Sequence, residues 1–224
     1  MHTARITIFA GHYGSGKTTL ALHYALALRQ ARQHVALCDM DIVNPYFRTA
    51  DHRARLEAAG VELISSPYAN TNVEMPWIPT QALRVLDDER LTSVIDLGGD
   101  SGGALAVGRF AERLQALPDT AFWLVVNPYR PLTGEVDALL AIRREIERAA
   151  RLRFTGLVNN ANLGAETTAR HITESYSFLQ GASEAMGLPI VMTAVRRELA
   201  PALSLPRGMG QLLELGELSS RFSL

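Results

Sequence analysis

Short apolar runs alternate along the chain with longer segments whose apolar positions recur every three or four residues. The runs at 5–10, 34–39, 61–65, 92–97, 120–126, 153–159 and 188–194 read as strands. The longer segments at 17–31, 51–59, 80–89, 103–117, 133–151 and 166–186 read as helices. Residues 68–79 read as a proline-punctuated loop, and the tail from Gly210 reads as helical. Strands separated by helices define βαβ units. The expected fold class is therefore α/β: a doubly wound, mostly parallel twisted sheet with helices on both faces. The strands themselves are continuously apolar, as in Phe122-Trp123-Leu124-Val125-Val126, which suits a sheet covered on both sides. No repeat, low-complexity segment or linker interrupts the pattern, so residues 1–224 are expected to form a single domain.

Composition narrows the function classes. The 224 residues carry a formal net charge of −1, with 47% hydrophobic and 20% charged residues. That is ordinary globular composition, and it gives no global basic field for nucleic acid. The single cysteine, Cys38, excludes an internal disulfide and a cysteine-rich metal site. It lies in a strand and reads as an inert small hydrophobe. No apolar run approaches the length of a membrane span, and the apolar stretch after Arg5 is too short for a signal peptide, so a cytoplasmic protein is expected. Among 22 basic residues, Lys17 is the one lysine. Where only charge matters arginine serves as well, so a sole lysine marks a place that needs a compact ammonium.

That lysine falls in Gly11-His12-Tyr13-Gly14-Ser15-Gly16-Lys17-Thr18, which fits G-x-x-x-x-G-K-[ST] between a strand and a helix. Glycines allow successive backbone N–H groups to converge on an anion, and the helix N-terminus adds its positive end. Lys17 is expected to reach the β/γ-phosphates and Thr18 to ligate Mg²⁺. The nucleotide-binding set is Gly11, His12, Tyr13, Gly14, Ser15, Gly16, Lys17, Thr18 and Thr19. Two strand ends carry aspartates facing the same loop, Asp39-Met40-Asp41 and Asp96, as ligands of doubly wound sheets lie beyond the carboxyl ends of strands. Asp96 ends an apolar strand as a Walker B aspartate does.

Together, the P-loop, the D-x-D after the second strand and Asp96-Leu97-Gly98-Gly99 resemble the MinD/ParA-like branch of P-loop NTPases, of the SIMIBI class. The resemblance implies ATP and Mg²⁺ as cofactors and a homodimer formed with nucleotide in its interface. It implies that Asp41 activates the attacking water and that Lys17 acts with it in catalysis. Asp39 would stand near Mg²⁺ with Thr18 and Asp96. Gly99 takes the switch II position, and Asn160, closing Gly156-Leu157-Val158-Asn159-Asn160, takes the adenine-contacting position. Many relatives carry an extra lysine at the start of the P-loop that reaches the partner's phosphates; here His12 stands there. Only an arginine could replace it: Arg48, Arg109, Arg130, Arg196 or Arg197. GTPases usually read guanine with N-K-x-D, which a chain whose one lysine is in the P-loop cannot contain, so ATP is favoured.

Gly99-Asp100-Ser101-Gly102-Gly103 imitates a trypsin-like nucleophile segment. The alternation of strand and helix excludes that fold, and no histidine and aspartate are placed to complete a triad. The segment reads instead as a switch loop after Asp96. The expected function is a Mg-dependent ATPase that switches a protein client, with neither nucleic acid nor membrane as partner. One competing reading is a small-molecule kinase or ATP-dependent ligase, its acceptor held by residues 70–79 with Trp77 and by residues 127–131. The other is a nucleotide-binding module without hydrolysis.

Overall fold

A computed structural model of the chain describes residues 4–32, 34–40, 52–65, 80–99 and 101–217. The expected switch I aspartate Asp41, Arg48 and the loop containing Trp77 lie outside the described residues.

The strands are β1 (Ile6–Ala10), β2 (Val35–Met40), β3 (Val61–Ile64), β4 (Thr92–Leu97), β5 (Thr120–Val126), β6 (Gly156–Asn159), β7 (Ile190–Arg196) and β8 (Gln211–Leu215). They form one eight-stranded sheet in the order β3-β2-β4-β1-β5-β6-β7-β8, and every pairing is parallel. The helices are α1 (Lys17–Ala31), α2 (Arg53–Ala58), α3 (Thr80–Asp87), α4 (Ser101–Gly108), α5 (Ala111–Ala116), α6 (Val136–Ala150) and α7 (Ala169–Met186).

Period-2 alternation divides the strand residues between two cores. Phe9, Leu37, Val94, Trp123 and Val125 face the side covered by α1 and α2. Ile8, Ala10, Cys38, Ile95, Phe122 and Leu124 face the side covered by α3 to α7. On the first side Phe9, Tyr24 and Trp123 form an edge-to-face trio with centroids 5.5–5.6 Å apart. This fixes α1, and with it the loop feeding α1, against β1 and β5. Helix α1 is buried nearly all round, which explains its Ala- and Leu-rich sequence.

Two expectations are corrected here. The tail is not helical from Gly210: residues 211–215 form β8, the last parallel strand. Gln211-Leu212-Leu213-Glu214-Leu215 alternates, with Leu213 and Leu215 buried toward α1 and Leu212 and Glu214 facing solvent. Leu and Glu are good helix formers, but burial of one strand face wins over local propensity. The helix expected over 103–117 is two helices, α4 and α5, and α4 begins earlier, at Ser101.

His23 joins α1 to the end of β8. Its ring nitrogens lie 2.8 Å from the Thr19 carbonyl oxygen and 3.0 Å from that of Gly216. Burial pulls its pKa below the ordinary 6.5; the two carbonyls oppose this, and Arg55 and Arg197 add to it. The native state therefore binds fewer protons at this ring than the unfolded chain. Its contribution is fully present above pH 6.5 and is lost as pH falls through that value toward the lower native pKa. Urea unfolding should show the midpoint falling on acidification from neutral pH, and His23→Gln should flatten that slope. An unchanged slope in the variant would mean that other groups set it.

Candidate functional site

The loop between β1 and α1 curls because three of its glycines adopt positive φ: 150° at Gly11, 76° at Gly14 and 90° at Gly16. Gly16 is the N-cap of α1, with no side-chain cap and no acidic residue in the first turn, so the helix's leading N–H groups are not covered by its own carboxylates. A turn closes the loop, with Ser15 N donating to the His12 carbonyl at 3.1 Å. Lys17 and Thr18 are buried, and the Lys17 ammonium folds back to donate to the same carbonyl at 3.3 Å. His12 turns its ring Nδ1 to the Tyr13 carbonyl at 2.9 Å, and Tyr13 is exposed at the loop's tip.

Two neighbours hold the loop. The end of β4 stands on one side: a Cβ built on Gly99 would lie 2.7 Å from Tyr13 Cα, 2.8 Å from Tyr13 N and 3.1 Å from Lys17 Nζ. Only a residue without a side chain lets the two backbones approach this closely. Gly103, in the first turn of α4, packs as tightly on Gly98, where a Cβ would sit 2.6 Å from the amide nitrogen. The glycines after Asp96 therefore serve close packing, and the segment expected as a switch loop is helical from Ser101.

The end of β6 supports the loop on another side. Asn160, buried, donates from Nδ2 to the Ser15 carbonyl at 2.6 Å. Its amide thus supports the P-loop, the direct contact this structure gives to the residue expected at adenine. Asn159 donates to Ser175 Oγ at 2.9 Å and accepts from Ala161 N at 3.2 Å, a role in the strand end and α7.

The two carboxylates expected at a metal are brought together. Asp39 and Asp96 are register partners across β2 and β4, and Asp96 is fully buried. The Cys38 thiol is pushed up to about 12 by burial first and by Asp39 and Asp96 next, so it stays protonated. Adjacent carboxylates at a buried sheet edge call for compensating positive charge. With the Thr18 hydroxyl, Asp39 and Asp96 would supply hard oxygen donors of the kind that suits Mg²⁺.

Asn127 was expected only as the first residue of the acceptor segment 127–131. It is buried after β5, donates from Nδ2 to the Asn162 carbonyl at 2.9 Å, and accepts from Tyr129 N at 3.1 Å and Asn162 N at 3.4 Å. Tyr129 donates its hydroxyl to the His171 carbonyl at 2.6 Å. Residues 127–131, expected to help hold an acceptor, are thus a hydrogen-bonded turn tied to β6 and α7. An Asn at the end of an apolar strand before two prolines was the available signal, since such residues build turns.

No protein-family model matches the chain. No curated protein matches it either. Solved structures match its fold. The cell division protein FtsY of Thermotoga maritima superposes with a TM-score of 0.56 at 17% identity, over 85% of this chain and 61% of its own. FtsY of Mycoplasma mycoides gives 0.53 at 17%, over 87% and 60%. The 54 kDa signal recognition particle protein of Aeropyrum pernix K1, in complex with GDP, gives 0.52 at 16%, over 84% and 40%. The chain thus spans 40–61% of these three proteins' lengths. The sheet and these likenesses define the fold: it is the α/β fold of the P-loop NTPases. Among the described residues, no helix is long and apolar enough to cross a membrane.

Proposed function

We infer that this chain binds ATP with Mg²⁺ and hydrolyses it to switch a protein client, within the MinD/ParA-like branch it resembles. The observation that carries the reading is the loop of positive-φ glycines at the uncapped N-terminus of α1, with the sole lysine buried and folded back onto the His12 carbonyl. Nothing in such a cradle is specific to a base. The related signal recognition particle protein carries GDP, which makes guanine the competing base. The sole lysine is spent in the loop, so no N-K-x-D element can read guanine, and ATP remains the better fit.

The residue roles follow from position. Residues Gly11 to Thr19 bind the phosphates, the N–H groups of the loop bearing on the non-reacting oxygens. Lys17 holds the terminal phosphates as charge spreads over them in the in-line attack of water. Thr18, Asp39 and Asp96 would hold Mg²⁺, which when bound neutralises phosphate charge. Asp41 orients the water and accepts its proton. Gly99 reports the state of the terminal phosphate, because it lies so near Tyr13 and Lys17 that an added Cβ would meet both. Loss of that phosphate changes what Lys17 holds, and the glycine contact passes this to α4 and a client surface. Asn160 keeps the loop's shape from the β6 side and borders the adenine. ATP-bound copies are expected to pair as homodimers.

The test is binding and turnover of Mg-ATP by the purified chain beside Asp41→Ala. Affinity should be kept, and turnover should fall roughly 100-fold, the usual contribution of a positioned base. Light scattering should show a dimer mass with Mg-ATP and a smaller one with Mg-ADP. Phosphate transfer to an added small-molecule acceptor would favour the kinase or ligase reading, and stoichiometric ATP without turnover the non-hydrolysing one. Tighter binding of GTP than ATP would overturn the choice of base.

A further inference from the structure

The geometry points to Arg130 as a second phosphate-binding cation, supplied by the same chain at the outer lip of the P-loop. The inference rests on the nucleotide reading of that loop and deepens it. Gly14, exposed at the loop's tip, has one neighbour near the place a Cβ would occupy: the Nε of Arg130, at 3.8 Å. The Arg130 side chain therefore reaches the tip of the loop that holds Lys17.

Among the described residues, the other arginines named as candidates for a second cation, Arg109, Arg196 and Arg197, are engaged or placed elsewhere. Arg196 pairs with Glu198 at 3.0 Å, and Arg197 with Glu214 on β8 at 3.4 Å. Arg109 follows α4, where Gly108 packs against the Ala149 carbonyl near the end of α6, remote from the loop that precedes α6. Arg130 has no acidic partner among the described residues, whereas Arg53, Arg84, Arg113, Arg143, Arg151, Arg153 and Arg170 all pair with carboxylates. A cation beside an anion-binding loop that pairs with no carboxylate among the described residues can serve a ligand.

The turn beneath it is fixed before any ligand arrives. Arg130 N donates to the Asn127 carbonyl at 3.1 Å, and the Arg130 carbonyl accepts from Thr133 N at 3.0 Å. Asn127 and Tyr129 tie the same turn to β6 and α7, and prolines flank it at 128 and 131. Only the side chain need be ordered on binding, which keeps the entropic cost low. Lysine gives one point charge, whereas a guanidinium can take two phosphate oxygens at once. The arrangement needs no residue from a second copy.

The test compares affinities of ATP, ADP and adenosine for the wild-type chain, Arg130→Ala, Arg130→Lys and Lys17→Ala, by calorimetry at two salt concentrations. Arg130→Ala should weaken ATP and ADP roughly 10- to 100-fold, the loss of a charge-assisted contact, and leave adenosine unchanged. Its salt dependence should be shallower than the wild type's, and Arg130→Lys should recover only part of the affinity. Thermal melting should be unaltered, since the side chain is exposed. If the wild type binds no nucleotide, the reading of the loop fails. If it binds ATP and loses it with Lys17→Ala, but Arg130→Ala binds as the wild type does, this inference alone is overturned.

Discussion

Lys17→Ala should weaken Mg-ATP binding at least about 100-fold while leaving the fold intact. Lys17 is 5% exposed and its ammonium donates to the His12 carbonyl, so a truncated side chain leaves its charge unreplaced at that place. Lys17→Arg should not rescue, because a planar fork needs more width than a point charge and the lysine side chain is buried. The composition offers an independent readout. Lys17 is the only lysine, so an amine-reactive reagent can modify only this side chain and the chain's N-terminus. Mass spectrometry with and without Mg-ATP should show nucleotide protecting that one internal site. Equal labelling in both conditions, with affinity of the alanine variant within about twofold of wild type, would remove Lys17 from the site.

How much of this could be read beforehand differs from element to element. The P-loop was legible because its chemistry is local: glycine, lysine and threonine at fixed spacing between a strand and a helix. The doubly wound parallel sheet was legible for the same reason, since strands such as β5 are apolar runs set between helical segments. The strand β8 was not. Five residues with three leucines and a glutamate satisfy a helix locally. Their strand form depends on β7, whose edge receives them, and on α1, which covers Leu213 and Leu215. The break between α4 and α5 is also tertiary. It falls at Gly108, where a side chain would strike the Ala149 carbonyl of α6 at 2.5 Å. The site shows the same division. Asp39 and Asp96 were found as strand ends, and the register makes them neighbours. The hold of Asn160 on Ser15, and the place of Arg130 over Gly14, join segments that share no local pattern: residues 145 apart in the first case. No spacing rule carries that information.

Gly99→Ala should have the second largest effect, because it forces apart two backbones and not two side chains. The new Cβ would fall 2.7 and 2.8 Å from main-chain atoms of Tyr13 and 3.1 Å from the Lys17 nitrogen. The nitrogen can swing away; the Tyr13 backbone cannot, since the turn from His12 to Ser15 and the Asn160 contact fix the loop. Either the end of β4 or the phosphate cradle must yield, at a cost of about 1–3 kcal/mol. A cradle displaced by a fraction of an ångström also loses the alignment of its N–H groups, so ATP affinity should fall at least about tenfold. Gly181 provides the contrast. It lies inside α7 with nothing within 4 Å of its Cβ position, so Gly181→Ala should raise stability by about 0.5–1 kcal/mol and leave nucleotide binding unchanged. Chemical denaturation and ATP titration of the two variants separate the close approach from the general effect of adding a methyl group. Were Gly99→Ala as stable as wild type and equal to it in ATP affinity, β4 and the P-loop would not touch in solution. The route from the terminal phosphate to α4 would then have no physical carrier.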